Sequence, residues 1–337
     1  MKARASLIGV VVLGAATATA IAPANASVVH AATSNITVAY VTGDQGDPYF
    51  ITERCGAMAQ AKSMGATLKW FGTASTAVAN EFSLFNSAAV TNPSALVLAP
   101  FSNTGFSASV DSLMKKGIPV SLTGGNLTPA AGYQVVESNY TAGGELLASV
   151  IGKITGGTGT IAIIAQSTGN PPDAERYVGL EGMLKKDYPN LKVLAPQYGQ
   201  ASSATSASIA SSLIVANPGL KLIYATNGPQ AIGAASAIAA AGDTSKIKLV
   251  SFDSTPDQVN LIKEGKLVAT VAQSPYYTAA LGVKAVVSYL KSHPAVAPVK
   301  PSGAAVIHTP LQLLTPANIN TPLAKKFEYV TSCSVFS

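Results

Sequence analysis

Short apolar runs rich in β-branched residues alternate with longer stretches of helical periodicity, and this pattern constrains the fold of the 337-residue chain most strongly. The runs are continuously apolar, as strands of a parallel sheet buried on both faces require. The predicted strands are 36–41, 67–71, 95–99 and 118–122, and then 160–164, 191–195, 220–224, 247–251 and 267–273. The sequence therefore predicts two doubly wound α/β units, one after the other.

Helices are predicted between these strands, over 49–64, 80–89, 110–116, 173–186, 203–216, 229–241 and 275–290. The Ala/Ser-rich stretch 201–212 could instead be a low-complexity linker. Ile209, Leu213 and Ile214 form an apolar stripe at helical spacing, however, which favours a helix. Two similar α/β lobes side by side create a cleft at the carboxyl ends of their strands, where such sheets bind ligands.

The first 26 residues have the pattern of an export signal. Lys2 and Arg4 precede the apolar run 7–16, and Ala24-Asn25-Ala26 supplies a small-x-small cleavage site. A membrane anchor is the alternative, but the run is shorter than the roughly 20 apolar residues that cross a bilayer. We therefore expect residues 1–26 to be a signal peptide and the mature protein to be periplasmic or extracellular, and soluble.

Export determines how the two cysteines are interpreted. In an oxidising compartment Cys55 and Cys333 can form a disulfide, which would attach the C-terminal tail to the first lobe. Closing so long a loop restricts the unfolded chain by about 4–5 kcal/mol on the chain-entropy model. The alternative is two unpaired thiols, but exposed free thiols are uncommon outside the cell. We predict the disulfide.

Most catalytic and metal-binding constellations are missing from the sequence. There are three His and two Cys, too few for most metal sites built from these residues, and we expect no metal and no cofactor. The net charge of +6 comes from basic residues spread along the chain, which argues against nucleic-acid binding. The chain has no Gly-x-Ser-x-Gly elbow, no His-Glu-x-x-His and no P-loop. We therefore expect a binding protein without catalytic residues, not an enzyme.

Polar and aromatic side chains follow several predicted strands, at the positions where the cleft is expected. The candidate ligand-binding residues are Asp47, Tyr49, Phe50, Phe101, Ser138, Asn227, Asp253 and Gln273. Amide and carboxylate groups exchange hydrogen bonds with vicinal hydroxyls, and aromatic faces cover the C–H face of a sugar ring. Each residue alone could be a turn, cap or packing residue. Their shared placement favours a site for a small neutral polyhydroxylated solute.

At these residues the chain resembles the ribose-binding-protein group of type I periplasmic binding proteins, the sugar receptors of ABC importers. The resemblance covers residues 36 to about 314. The motifs that carry it are Asp47-Pro48-Tyr49-Phe50, Ile118-Pro119-Val120, the run 137–144, Arg176-x-x-Gly179, Asn227, and the runs 252–257 and 269–273. It implies an α/β protein of two Rossmann-like doubly wound lobes, joined by a three-crossing hinge near Ser138, Gln273 and Ala304, that closes around one ligand.

The resemblance also implies a domain organisation. The N-terminal lobe would comprise 35–138 and 274–303, the C-terminal lobe 139–273 and 304–318, and the tail 319–337. Tyr49 and Phe50 would cover one sugar face, and Ser138 would line the hinge. The residues expected to hydrogen-bond sugar hydroxyls are Asp47, Asn227, Asp253 and Gln273.

The chain departs from the family pattern at five positions where members of the family bind their sugar. Small residues stand at these positions: Ala99, Gly124, Gly125, Ala174 and Ala201. Charge-assisted hydrogen bonds contribute about 1.5–3 kcal/mol each, so their loss predicts weak pentose binding or a different ligand. A larger ring, a deoxy or methylated sugar, a polyol or a less polar compound would fit this loss.

The resemblance implies a monomeric receptor that delivers its solute to the membrane permease of an ABC importer. One alternative is a sensory receptor of the same fold, which would present its closed form to a chemoreceptor or kinase. A hydrolase acting on a sugar-like substrate is a second alternative. A DNA-binding repressor with the same lobes is disfavoured by the export signal and by the absence of an N-terminal helix-turn-helix.

Overall fold

The structure is a computed structural model and describes residues 35–74, 78–168, 170–303 and 306–336. The predicted signal peptide, residues 1–26, lies outside these ranges, as does Ala304. Among the helices of the described residues, none is long and apolar enough to span a bilayer.

The first lobe contains a six-stranded sheet, counted over the described residues. Its strands are β1 (Thr37–Asp44), β2 (Thr67–Thr73), β3 (Ala95–Leu98), β4 (Val120–Thr123), β5 (Gln134–Ser138) and β12 (Ile307–Thr309). They lie in the order β12-β5-β4-β3-β1-β2, and every neighbouring pair is parallel. Parallel strands share one carboxyl edge, so the loops that follow them meet on the same side of the lobe.

Helices cover both faces of this sheet. They are α1 (Pro48–Ser63), α2 (Val78–Val90), α3 (Ser107–Lys115) and α9 (Pro275–Ser292). Val38 and Tyr40 of β1 pack into the core under α1 and α9, whereas Ala39 and Val41 pack into the opposite core under α2 and α3. All four side chains are fully buried, which explains why β1 reads as a continuous apolar run.

The second lobe repeats this plan. Its strands are β6 (Gly159–Ala165), β7 (Leu191–Val193), β8 (Gln197–Tyr198), β9 (Leu220–Ala225), β10 (Lys248–Phe252), β11 (Ala269–Ala272) and β13 (Gln312–Leu314). The order is β13-β11-β10-β9-β6-β7, with β8 also paired to β6; β13 is antiparallel to β11 and the other pairs are parallel.

The helices of this lobe are α4 (Tyr140–Thr155), α5 (Pro171–Asp187), α6 (Ser203–Ala216), α7 (Gly228–Ala240) and α8 (Pro256–Lys263). The Ala/Ser-rich stretch therefore forms a helix, not a linker, and buries Ser206 and Ala210. The prediction of two doubly wound α/β lobes is confirmed.

The chain passes between the two sheets after β5, after β11 and after β12. The third passage differs from the predicted one near Ala304. Ile307 pairs with Val136 and Thr309 with Ser138, so 307–309 belongs to the first sheet and the chain crosses after Thr309. The assignment of all of 304–318 to the C-terminal lobe is therefore wrong for this strand. A three-residue strand with two exposed side chains is too weak a pattern to reveal it.

The C-terminal tail contains α10 (Pro322–Lys325) and a 3-10 helix (Cys333–Phe336). A disulfide joins Cys333 to Cys55 in α1, as predicted, with a Cα–Cα distance of 5.2 Å. The tail is thereby attached covalently to the first lobe.

Candidate functional site

A cavity opens between the carboxyl edges of the two sheets and is lined by both lobes. The first lobe contributes the start of α1 and the loops after β3 and β4, and the second lobe contributes the loops after β6, β9 and β10. The cavity volume is about 160 Å³. Since one water needs roughly 10–15 Å³ by this measure, several water-sized groups fit inside.

Most of the predicted ligand-binding residues lie on this wall: Asp47, Tyr49, Phe50, Phe101, Asn227 and Asp253. Ser138 and Gln273 do not. Ser138 is buried at the end of β5, with its hydroxyl 3.5 Å from the Thr309 hydroxyl, beside the third passage. Gln273 follows β11 and is buried behind the wall, where its Nε2 donates to Asp253 Oδ1 at 2.6 Å.

An aromatic surface on the first lobe is built from α1 and the loop after β3. Asp47 caps α1, since its Oδ1 accepts from the Tyr49 N–H at 2.7 Å, and Pro48 occupies the first turn. The rings of Phe50 and Phe101 lie 5.4 Å apart. The Phe101 N–H donates to the buried Glu81 carboxylate at 3.0 Å, which fixes this loop against α2.

The same cap orients the carboxyl group of Asp47 at the edge of the cleft. Desolvation raises its pKa to about 6, and the Tyr49 N–H opposes that rise. Asp47 therefore acts first as a helix cap, and its free Oδ2 is the oxygen available to a ligand.

Asp253 is the centre of the polar surface on the second lobe. Its Oδ1 accepts from Gln273 Nε2 at 2.6 Å and from the Tyr329 hydroxyl at 3.0 Å, and its Oδ2 lies 3.4 Å from an Arg176 nitrogen. A carboxylate has about four acceptor sites, so Oδ2 retains one for a ligand hydroxyl. Its backbone φ of +78° is one that a short Asp side chain tolerates.

Arg176 is held rigidly behind this carboxylate. Its guanidinium stacks 4.3 Å from the Phe252 ring centre and donates to the Thr226 carbonyl at 2.6 Å. The nearby Asp253 and Asp173 carboxylates hold the pKa of Arg176 above its usual value, although burial alone would lower it. The arginine is thus a fixed counter-charge for Asp253.

Asn227 is the next residue of the polar surface on the second lobe. Its Oδ1 caps α7 by accepting from the Gln230 N–H at 3.4 Å, and its Nδ2 donates to Gln166 Oε1 at 2.9 Å. Both Asn227 and Gln166 line the cavity. The loops after β6 and β9 therefore present a linked pair of amides to a solute.

Sequence reasoning missed Glu53, which lies on the cavity wall and is fully buried. Within the described chain neither carboxyl oxygen makes a hydrogen bond of normal geometry. Burial raises the pKa of Glu53 to about 8, and the nearby Tyr40 and Tyr49 hydroxyls reduce that rise. Glu53 follows Tyr49 by one helical turn, and this i, i+4 spacing was the signal that could have identified it.

Because Gly124 has no side chain, there is space in the cavity beside the carboxyl group of Glu53. A Cβ at Gly124 would lie 3.2 Å from the Tyr49 hydroxyl and 3.9 Å from Glu53 Oε1. Of the small residues noted in the sequence, Ala99, Gly124 and Ala201 line the cavity, whereas Gly125 and Ala174 do not. The space near Gly124 is thus bordered by a tyrosine hydroxyl and a carboxyl group.

Replacing Glu53 with glutamine should reduce the loss of stability on going from about pH 5 to about pH 8. The folded-state pKa of about 8 exceeds the ordinary 4.5, so the folded protein binds this proton more tightly than the unfolded chain does. The resulting stability is complete below the ordinary pKa and is lost toward pH 8, by up to about 1.4 kcal/mol per pH unit. Melting temperatures across this range measure it.

Glu145→Gln is the matched control, because Glu145 is exposed in α4. That variant should keep the pH profile of the wild-type protein. An unchanged profile in Glu53→Gln would mean that the Glu53 carboxyl is ionised throughout this range.

A second missed residue is Tyr329, which lines the cavity although it belongs to the C-terminal tail. It lies far from any strand end in the sequence. The predicted disulfide was the one sequence feature that brought this segment near the first lobe. Within the described residues, no cluster of three or more His, Cys, Asp or Glu side chains could hold a metal ion.

Known proteins share this architecture. Two similar sequences come from Escherichia coli strain K12. The D-allose-binding periplasmic protein is 28% identical over 255 residues, covering 73% of this chain and 82% of that protein. The ribose import binding protein is 26% identical over 255 residues, covering 76% and 85%.

A solved structure is also similar: a carbohydrate transporter solute binding protein from Agrobacterium radiobacter in complex with D-arabinose. It matches with a TM-score of 0.79 at 26% identity, covering 88% of this chain and 99% of that one. The family model of the periplasmic binding protein domain matches residues 38–294, from β1 to the end of α9 and so across both lobes. The chain belongs to the periplasmic binding protein family.

Proposed function

We propose that this protein is an exported receptor of an ABC importer that captures a small neutral solute, a sugar or polyol, in the cleft between its lobes. The observation that carries the proposal is the composition of the cavity wall. An aromatic surface of Tyr49, Phe50 and Phe101 on one lobe faces the hydrogen-bonding groups of Asn227 and Asp253 on the other. Aromatic faces suit the C–H face of a sugar ring, and amides and carboxylates suit its hydroxyls.

The charges around the cavity favour an uncharged guest. The carboxylates of Asp253 and Asp173 balance the positive charge of Arg176, so the wall carries no excess positive charge for an anionic solute. The raised pKa of Glu53 keeps that carboxyl largely protonated at neutral pH, and a protonated carboxyl can both donate and accept a hydrogen bond. A polyhydroxylated neutral molecule can use all of these groups at once.

Binding by both lobes is expected to couple capture to closure. A ligand that contacts the aromatic surface and Asp253 together gains affinity only when the lobes are close, so it shifts the population toward the closed form. The closed receptor, a monomer outside the cytoplasm, would then dock on a membrane permease. The similar proteins are named for D-allose and ribose binding, and the similar structure holds D-arabinose, which supports a sugar as the solute.

A thermal-shift screen tests the proposal. The panel contains D-ribose, D-allose, D-arabinose, larger and deoxy hexoses and polyols, with amino acids as a charged comparison set. A ligand that binds only the folded state raises the melting temperature. At a ligand concentration of about a hundred times Kd, it stabilises the folded state by about 2.7 kcal/mol. We expect a rise with at least one neutral sugar or polyol. A rise with amino acids alone would contradict the proposal.

A further inference from the structure

The C-terminal tail bridges the two lobes directly beside the cavity. On the second lobe, the Ser254 hydroxyl donates to the Phe327 carbonyl and the Tyr329 N–H donates to the Ser254 carbonyl at 3.0 Å. On the first lobe, the Val330 N–H donates to the Thr52 hydroxyl in α1 at 2.8 Å. Within the described chain, this segment adds a link between the lobes to the three passages of the hinge.

The disulfide makes this link covalent. Cys333 is bonded to Cys55, one helical turn beyond Thr52 in α1. The segment from 327 to 333 is therefore held at one end by the β10 loop and at the other by α1. The family-model match ends at residue 294, before this segment begins.

Tyr329 is the residue that this bridge places in the cavity. Its side chain is 3% exposed and lines the wall. Its hydroxyl donates to Asp253 Oδ1 at 3.0 Å, and its ring packs edge-on against Tyr49, with ring centres 5.6 Å apart. Tyr329 thus contacts one proposed ligand-binding residue in each lobe.

We propose that Tyr329 is a ligand-contacting, specificity-determining residue of this cleft, positioned by the Cys55–Cys333 disulfide; the inference rests on the proposed function. The phenol proton is committed to Asp253, and the Gln273 backbone N–H is directed at the same oxygen, which leaves one lone pair of that oxygen for a ligand hydroxyl. The ring adds an apolar surface beside Tyr49. Both properties favour a guest with a donor hydroxyl next to a C–H face on this side.

The position of Tyr329 depends on its anchors. Without the disulfide, the Val330–Thr52 hydrogen bond is the polar anchor that still holds this segment to α1 among the described residues. A tail held by fewer bonds samples more positions, and a ligand must then pay the entropy of ordering it. Loss of the disulfide should therefore weaken ligand binding, because Tyr329 is then held less firmly in the cavity wall.

Isothermal titration with D-ribose, D-allose, D-arabinose and every other neutral solute of the thermal-shift panel that raises the melting temperature tests the inference. The variants are Tyr329→Phe, the double variant Cys55→Ser/Cys333→Ser, and their combination. Loss of one neutral hydrogen bond predicts roughly three- to tenfold weaker binding for Tyr329→Phe, with a changed ranking among the sugars. The disulfide variant should also bind more weakly, and Tyr329→Phe should add less in that background. Tyr277→Phe, at an exposed tyrosine in α9, should match the wild type.

A changed ranking of the sugars shows that Tyr329 contacts the ligand. If Tyr329 only supported the structure, its replacement would weaken the binding of every sugar by the same factor. If the wild type binds a sugar and Tyr329→Phe leaves both affinity and ranking unchanged, the inference is overturned and the proposed function stands. If the wild type binds neither these sugars nor any other neutral solute of the thermal-shift panel, the proposed function fails and the inference fails with it.

Discussion

Replacing Asp253 with asparagine is expected to weaken binding of the captured solute by at least about tenfold, with the protein still folded. A hydrogen bond to a charged acceptor contributes about 1.5–3 kcal/mol, and 1.4 kcal/mol is a factor of ten in affinity. Asparagine keeps the side-chain size and tolerates the left-handed backbone at φ +78°. Asp173 remains near Arg176 as a counter-charge. Isothermal titration with a sugar identified in the thermal-shift screen measures the loss.

Asp257→Asn supplies the matched control. Asp257 lies four residues further on, exposed in the first turn of α8, and carries the same chemical change away from the cavity. Its affinity should equal that of the wild type. Equal affinities for all three proteins would show that Asp253 does not contact the solute. Asp253→Ala is less informative, because alanine is strained at this φ and removes the oxygen that accepts hydrogen bonds from Gln273 and Tyr329.

Gly179→Ala should lower the melting temperature by about 5–10 °C, the equivalent of about 2–3 kcal/mol. Gly179 lies in α5 where that helix crosses α4, and a Cβ there would lie 2.2 Å from the Thr141 carbonyl oxygen. That oxygen belongs to helix backbone and cannot rotate away. The helices would have to separate, and with them Tyr140 of α4 and Arg176 of α5, which both line the cavity. Circular dichroism during heating measures the shift.

Gly182→Ala is the control on the same helix. Gly182 is exposed, and a Cβ there meets nothing within 4 Å. Alanine exceeds glycine in helix propensity by about 1 kcal/mol, so this variant should melt at the same or a slightly higher temperature. If both variants melted alike, the close approach of α4 and α5 would not limit the stability of this lobe.

The fold was predictable because burial on both faces of a sheet leaves a direct mark in the sequence. β1 and β6 are apolar without interruption, and glycine or polar residues mark their ends. β12 was missed because its side chains are mostly exposed and its pairing partner is distant in sequence, Val136 for Ile307. Local pattern carries no information about such a pairing, so the third passage was placed too early.

The cleft was predictable to the extent that strand ends define it. Phe101, Asn227 and Asp253 follow strands whose carboxyl ends share one edge, and all three line the cavity. The carboxyl end of a strand predicts where in the fold the next residue lies, but it does not predict the direction of that residue's side chain. Gln273 therefore turned out to hold Asp253 without reaching the cavity itself.

Glu53 and Tyr329 line the cavity through features that strand ends do not encode. Glu53 lies on the same helix face as Tyr49, so it could have been found by helical spacing. Tyr329 lies 76 residues from Asp253 and reaches it through the tail that the disulfide anchors. Only tertiary structure brings those two side chains together.

The measurement that tests the account most directly is a titration of the purified protein with the sugar or polyol that raises its melting temperature most, followed by chemical recovery of that compound. The account predicts saturation at one molecule per chain and recovery of the compound unchanged. Conversion of the compound, or the absence of saturable binding by every neutral solute tried, would contradict it.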